Sequence, residues 1–424
     1  MSRQRAHWDQ ENAVLGPGLS EAVQWAGLVI ARAEGMHLYD IDGRRIADLM
    51  GAAGVNLLGH SDPAYVDAMT EQMRRWMTGA HASTARLEMT RQLRLLLPAH
   101  LDRVQLYSGG AEAVEAAIRL AKSATGRFEI LSFWQSFHGR TLGTIAHTSG
   151  ARTGLGPAAP GSISAPYADC AHCPLRRTYP GCGFACLDLT RQILDEQSCG
   201  SLAAILAEPV QGRAGNLVPP PGYLEQLRAL ADERGALLIA DESMTGMGRT
   251  GTILATDATT ARPDIVVLGK GLGNGYPVSA VCAPTSLMHT PPFGAPSASS
   301  SSYGGFPLAC RAVGVVAHAV RKRNLPERAA TAGRRLLDRL RKGLDDVPLV
   351  TSVHGVGLAI GIALAATGKP QMRAIVTALV DAGVLVMTGR HTLRLYPPLT
   401  ATDTDLDDAA DRLMAVLAEH RWTS

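Results

Sequence analysis

From about residue 104 onward, short, mostly apolar runs alternate with longer stretches in which apolar residues recur every three or four positions. The runs Val104–Tyr107, Glu129–Phe133, Leu202–Ala207, Leu237–Ala240, Ile265–Leu268 and Val278–Ala283 are four to six residues long and bounded by turn formers, which predicts buried strands. Glu112–Ala124 and Tyr223–Arg234 carry the helical period between them. The alternation predicts an α/β fold with a mostly parallel central sheet. Between Phe133 and Leu202 the pattern predicts only loop. Upstream, the alternation in His37–Ile41 and the turn Asp42-Gly43 predict a small strand meander over Gly27–Leu49. Gly51–His60 reads as glycine-rich loop. Helices are expected over Pro63–Trp76, capped by Asp62, and over Thr84–Leu97. Residues 1–20 predict no independent element.

Downstream, Pro291–Ser302 is a loop rich in proline and serine, and Leu308–Lys322 reads as a connecting helix. The remainder predicts a smaller α+β region: helix Glu327–Leu344, strands near Leu349–Gly355 and Leu358–Leu364, helix Gln371–Ala382, a strand pair around Val384–Leu395, and helix Asp403–His420. No internal repeat is visible.

Composition narrows the class. A chain of 424 residues has room for two domains, and 46% apolar content supports a sizeable core. The formal charge of +3 is too balanced to imply nucleic acid or an anionic membrane as partner. No apolar run is long enough to span a bilayer, and Met1–Asn12 lacks the apolar core of a signal peptide. A cytoplasmic enzyme is the expectation, with the seven cysteines mostly as thiols.

The chemistry concentrates in Ala236–Ala280. One predicted strand ends on Asp241 and the next leads to Lys270 and a glycine-rich turn. A lysine can hold the aldehyde of pyridoxal 5'-phosphate (PLP), and an acid at a neighbouring strand end can keep its pyridine nitrogen protonated. The plain alternative is a surface acid and a surface lysine after ordinary strands. Ser108-Gly109-Gly110-Ala111-Glu112 lies between a strand and a helix, where exposed backbone N–H groups bind phosphate. Alone, such a glycine pair is more often a turn. Cys170, Cys173, Cys182 and Cys186 fall within seventeen residues, which leaves structural zinc, a labile disulfide and free packing thiols open.

The whole string Asp241-Glu242-Ser243-Met244-Thr245-Gly246-Met247-Gly248-Arg249-Thr250-Gly251, followed by Pro263-Asp264 and Lys270-Gly271, resembles the lysine segment of class III (fold type I) PLP-dependent aminotransferases. So do Phe137-His138-Gly139-Arg140, Glu208-Pro209-Val210-Gln211-Gly212, Ser302-Tyr303-Gly304-Gly305 and Arg394–Leu399. The resemblance covers nearly the whole chain. It implies a small domain begun by residues 1–60 and completed by 311–424, with a large PLP-binding domain over 61–310. It implies that Lys270 carries the cofactor and Asp241 holds its ring nitrogen. Gly109, Gly110 and Ala111 take the phosphate cup, and Phe137 and His138 lie at the ring, Phe137 stacking on it. Ser243 and Met244 stand at the ring face and ring hydroxyl, where this chain departs from the family's apolar residue and glutamine. Glu208, Arg140 and Arg394 fall on the substrate side. Ser302 reaches the phosphate of a neighbouring subunit, implying a homodimer. No metal is implied.

The expected reaction is amino transfer from an amino acid to an aldehyde or ketone, with a racemase, epimerase or aminomutase on the same scaffold as the alternative. The Arg- and Ala-rich composition fits a high-GC genome, where such enzymes often aminate secondary metabolites such as aminosugars. Ornithine- and aminobutyrate-type members carry a glutamate after the glycine at position 212. Here Arg213 stands there, opposite Arg394, and two arginines cannot form that ion pair.

Overall fold

The computed structural model describes residues 3–16, 18–365, 368–419 and 422. A seven-stranded sheet forms its centre. From one edge to the other it runs Arg103–Tyr107, Ser279–Ala283, Ile265–Leu268, Leu237–Asp241, Leu202–Ala207, Glu129–Phe133 and Ser162–Ala165. Only Ser279–Ala283 pairs antiparallel with both neighbours, so the mostly parallel α/β expectation holds. The inner strands are buried along their whole length, as continuous apolar runs require when both faces are covered. Helix Gly110–Thr125 covers one face and packs on five of the strands, burying Val114, Ala117 and Ala121.

Two elements here carry weak sequence signals. Ser162–Ala165, expected as loop, adds an edge strand parallel to Glu129–Phe133. Its SISA sequence has one β-branched residue, so pairing rather than propensity makes it a strand. Helix Ala185–Gln197, also expected as loop, buries Leu187, Thr190 and Leu194 against the strands it follows.

The two ends of the chain meet. Ile30–Glu34, His37–Asp40 and Arg45–Asp48 form the expected meander, and Val384–Leu385 adds to it in parallel beside Ala47 and Asp48. The expected strand pair near the C-terminus is therefore divided: Met387–Thr388 and Thr392–Leu395 belong to a separate sheet with Val350–Val356 and Ala359–Leu364. Residues 1–20 are not devoid of structure. Arg3–Asn12 is a helix, docked where Gln4 donates to Asp40 and accepts from the Val29 N–H. Gly51–His60 contains a short turn of helix, Gly51–Gly54, with Ala52 and Ala53 at positive φ. Gly51 itself has φ 52°, and a Cβ there would sit 2.2 Å from the Tyr396 carbonyl oxygen, so only glycine lets the segments approach this closely. Helix Pro63–Arg75 is capped by the Asp62 side chain, as expected. The C-terminal helix spans Asp403–Leu417; His420, its expected end, lies outside the described residues.

Candidate active site

Strand ends on one side of the central sheet place the candidate residues together. Asp241 closes its strand and is buried; its Oδ2 accepts from His138 Nδ1 at 2.8 Å and its Oδ1 from the Ser243 N–H at 3.1 Å. Burial alone would raise the Asp241 pKa, but the His138 and Ser243 hydrogen bonds, together with the charge of His138, pull it below the ordinary carboxylate value. The carboxylate is thus held as an anion, and Nδ1 of His138 carries the proton. Each Asp241 oxygen keeps a lone pair, and His138 Nε2 is buried without a partner.

Lys270 follows the next strand at φ 45°, a left-handed conformation that turns it out of strand geometry. Burial lowers its pKa; Asp241 and Glu208 oppose that, and Arg394 adds to it. Glu208, buried at the end of its own strand, accepts from the Phe137 N–H at 2.8 Å and the Gly212 N–H at 3.2 Å. Burial pushes its pKa up to about 6, with His138 and Lys270 opposing and Asp241 adding.

The resembled motifs meet through close contacts. A Cβ on Gly269 would lie 3.5 Å from Ser243 Oγ and 3.8 Å from Ser279 Cβ, and Ser279 Oγ donates to the Gly109 carbonyl at 2.8 Å. A Cβ on Gly139 would lie 2.6 Å from the Cβ of Ala111. Gly109 and Gly110 face open space, at the N-terminus of a sixteen-residue helix. The Glu112 side chain accepts from the Ser108 and Gly109 N–H groups, leaving those of Gly110 and Ala111 for an anion. Phe137 is half-buried, with the Arg140 guanidinium 5.0 Å from its ring centroid. Ser243 Oγ is buried and unpartnered, whereas Met244 packs with Val210, Ala359 and Tyr396.

Arg394 is buried and spends two nitrogens on backbone: Nη1 donates to the Gly212 carbonyl at 2.9 Å and Nη2 to that of Thr388 at 2.6 Å. Its Nε has no partner. Arg213 is exposed and donates from Nη1 to the Ser149 carbonyl at 2.6 Å. Ser302 is also exposed, in the loop that precedes helix Pro307–Lys322.

Two residues were not singled out from sequence. Arg249 is fully buried and joins the turn after Asp241 to the C-terminal strand through the Leu358 and Pro397 carbonyls. Tyr396 donates its hydroxyl to Asn216 Oδ1 at 2.5 Å. Both lie in quoted motifs, but a long-range partner has no local sequence signal. The four clustered cysteines are free thiols lining one cavity of about 20 Å³ with Tyr179 and Phe184. Among the described residues no group of three His, Cys, Asp or Glu is arranged to hold a metal ion.

Open glycines at a helix N-terminus, and a buried, histidine-bonded acid one strand from a lysine, are the arrangement that a fold type I PLP enzyme needs. The family model described as aminotransferase class-III matches residues 20–417, and the chain belongs to that family. It is 33% identical to the acetylornithine aminotransferase of Methanothermobacter thermautotrophicus over 92% of this chain and 94% of that one. It is 30% identical to the leucine/methionine racemase of Thermococcus litoralis over 94% of this chain and 92% of that one. Among solved structures, an amine transaminase from an uncultivated Pseudomonas species in its PLP-bound form superposes with a TM-score of 0.88 at 29% identity, covering 96% of this chain and 99% of that one. The protein is therefore a class III aminotransferase whose cofactor is PLP. The unpartnered Ser243 Oγ and His138 Nε2, the open glycine cradle and the anionic Asp241 all fit that group. No helix is long and apolar enough to cross a membrane among the described residues.

Proposed function

We propose that this enzyme moves an amino group from a carboxylate-bearing amino acid, glutamate first among candidates, to an aldehyde or ketone acceptor. The observation that carries the reading is the pairing of roles at neighbouring strand ends. A basic Lys270 with lowered pKa stands beside an Asp241 held anionic by His138. When bound, PLP supplies the electron sink that stabilises charge left on the substrate carbon. Lys270 holds the cofactor, then carries the proton between substrate carbon and cofactor as general base and acid. Asp241 keeps the pyridine nitrogen protonated. The free N–H groups of Gly110 and Ala111 hold the phosphate, with Gly109 letting it approach the backbone closely; Phe137 covers one ring face, and Ser243 and Met244 border the other side. Glu208 fixes the Phe137 and Gly212 backbone. Arg140 and Arg394 bind substrate carboxylates, the free Nε of Arg394 among their donors. Ser302 serves the phosphate of a second subunit, so we assign a homodimer. We assign residues 61–310 to the large domain and the two ends to the small one. Free cysteines support a cytoplasmic setting.

The racemase relative supports one alternative, isomerisation of an amino acid. It requires a second acid/base on the face opposite Lys270. The test is to mix the PLP form with a panel of amino donors and follow the cofactor's visible band. Conversion by L-glutamate with release of an oxo acid supports transfer; an unchanged band with every donor overturns it.

A further inference from the structure

Strand Ser279–Ala283 runs against both neighbours in the central sheet, so it starts where they end. Its first residue, Ser279, pairs with Tyr107 on one side, and Ala280 pairs with Leu268 on the other. Tyr107 leads into Ser108-Gly109-Gly110-Ala111, and Leu268 leads into Gly269-Lys270. Ser279 therefore stands between the turn that offers free N–H groups and the turn that carries the lysine. It is buried, its Oγ donates to the Gly109 carbonyl at 2.8 Å, and a Cβ on Gly269 would lie 3.8 Å from its own Cβ. Ser243, which also borders Gly269, keeps its Oγ without a partner. Of the two hydroxyls beside Gly269, only that of Ser279 is tied to the glycine turn.

In a planar trans peptide the carbonyl and the N–H point opposite ways, so whatever fixes the Gly109 carbonyl also aims the Gly110 N–H. Gly109 and Gly110 carry no Cβ and have open space around them, so sterics alone do not hold this peptide plane. Two donors hold it: the Ala113 N–H at 3.1 Å, from the first turn of the same helix, and Ser279 Oγ, from the sheet. The Ser108 and Gly109 N–H groups are engaged by Glu112, which leaves Gly110 and Ala111 to meet an anion. An N–H aimed in advance binds more tightly than one that must be ordered when the anion arrives.

We propose that Ser279 is a positioning residue for the cofactor's phosphate: its hydroxyl holds the Gly109–Gly110 peptide so that the Gly110 N–H points at the anion. This rests on the reading of Gly109, Gly110 and Ala111 as the phosphate cup, and not on the direction of the reaction. The cofactor-free full chain is titrated with PLP and with pyridoxal, which has the same aldehyde but lacks the phosphate. The visible band formed at Lys270 gives both affinities. The wild type should bind PLP about a hundredfold or more tighter than pyridoxal, the scale of two charge-assisted hydrogen bonds. Ser279→Ala should cut that preference by about fivefold, the scale of one hydrogen bond between uncharged groups, with pyridoxal changed by less than about twofold. Ser279→Thr, which keeps the hydroxyl on a residue suited to a strand, should retain the wild-type preference. An equal loss of both compounds in Ser279→Ala overturns the proposal, because a merely structural defect would move both. So does a preference that Ser279→Ala leaves unchanged, or one that falls as far in Ser279→Thr as in Ser279→Ala. If the wild type binds the two compounds equally, the phosphate cup itself falls, and the role of Ser279 falls with it.

Discussion

The floor of the site and its rim solve opposite electrostatic problems. On the floor, Asp241 and Glu208 are buried acids whose oxygens accept hydrogen bonds from His138, Ser243, Phe137 and Gly212. At the rim, Arg213 and Arg394 donate to backbone carbonyls, Arg140 lies over the Phe137 ring, and none of the three forms a salt bridge among the described residues. A floor whose hydrogen bonds are made in advance needs no rearrangement when charge develops on the cofactor. A rim with unanswered charge leaves its strongest interactions to the substrate. Rate is therefore expected to depend on the floor and choice of substrate on the rim.

Substitutions should separate along that line. The largest effect is expected from Lys270→Ala, which removes the group proposed both to hold the cofactor and to carry the proton. Turnover should be abolished and the visible band of the held cofactor lost, with the circular dichroism of the fold unchanged. A mutant that keeps the band refutes the assignment. Asp241→Asn should cost about a hundredfold or more in kcat, the scale of losing one key electrostatic partner, with little change in donor KM. Arg394→Ala should do the reverse: about tenfold or more in the KM for glutamate, as expected for one charge-assisted bond, and little change with an uncharged amine. If the two mutants show the same split between kcat and KM, the distinction between floor and rim is broken.

The smallest effect concerns pH and stability. Glu208 is raised from 4.5 to about 6 by burial, so the folded state holds its proton more tightly than the unfolded chain. Stability from this group is greatest below about pH 4.5 and is lost as pH rises through about 6. The loss amounts to about 2 kcal/mol by the linkage relation. Glu208→Gln should flatten that part of the Tm-against-pH curve of the cofactor-free protein. A mutant curve parallel to the wild type over this range would place the ionisation elsewhere.

Much of the fold was legible because the central strands are both apolar and short, so Glu129–Phe133 and Ile265–Leu268 appear in the structure with the bounds that the pattern predicts. Ser162–Ala165 was not legible, since serine and alanine carry no strand preference and the element exists only by pairing. Helix Arg3–Asn12 has almost no apolar face and is held by polar contacts of Gln4, which periodicity does not detect. In the site, the motifs named the residues but not their relations. His138 meets Asp241 across 103 positions of chain, and Arg249 reaches Pro397 across 148. Arg213 and Arg394 were expected to stand opposite one another; their separate anchoring on Ser149 and Gly212 needed the folded backbone.

Lys270 and Asp241 are proposed to run amino transfer rather than isomerisation. The most direct measurement is a single turnover of the PLP-loaded enzyme with L-glutamate in deuterium oxide, quantifying 2-oxoglutarate, residual glutamate chirality and deuterium at its α-carbon. Amino transfer should release one 2-oxoglutarate per active site, matched by conversion of the cofactor band, with no D-glutamate. Formation of D-glutamate carrying α-deuterium, with no 2-oxoglutarate released, would contradict it.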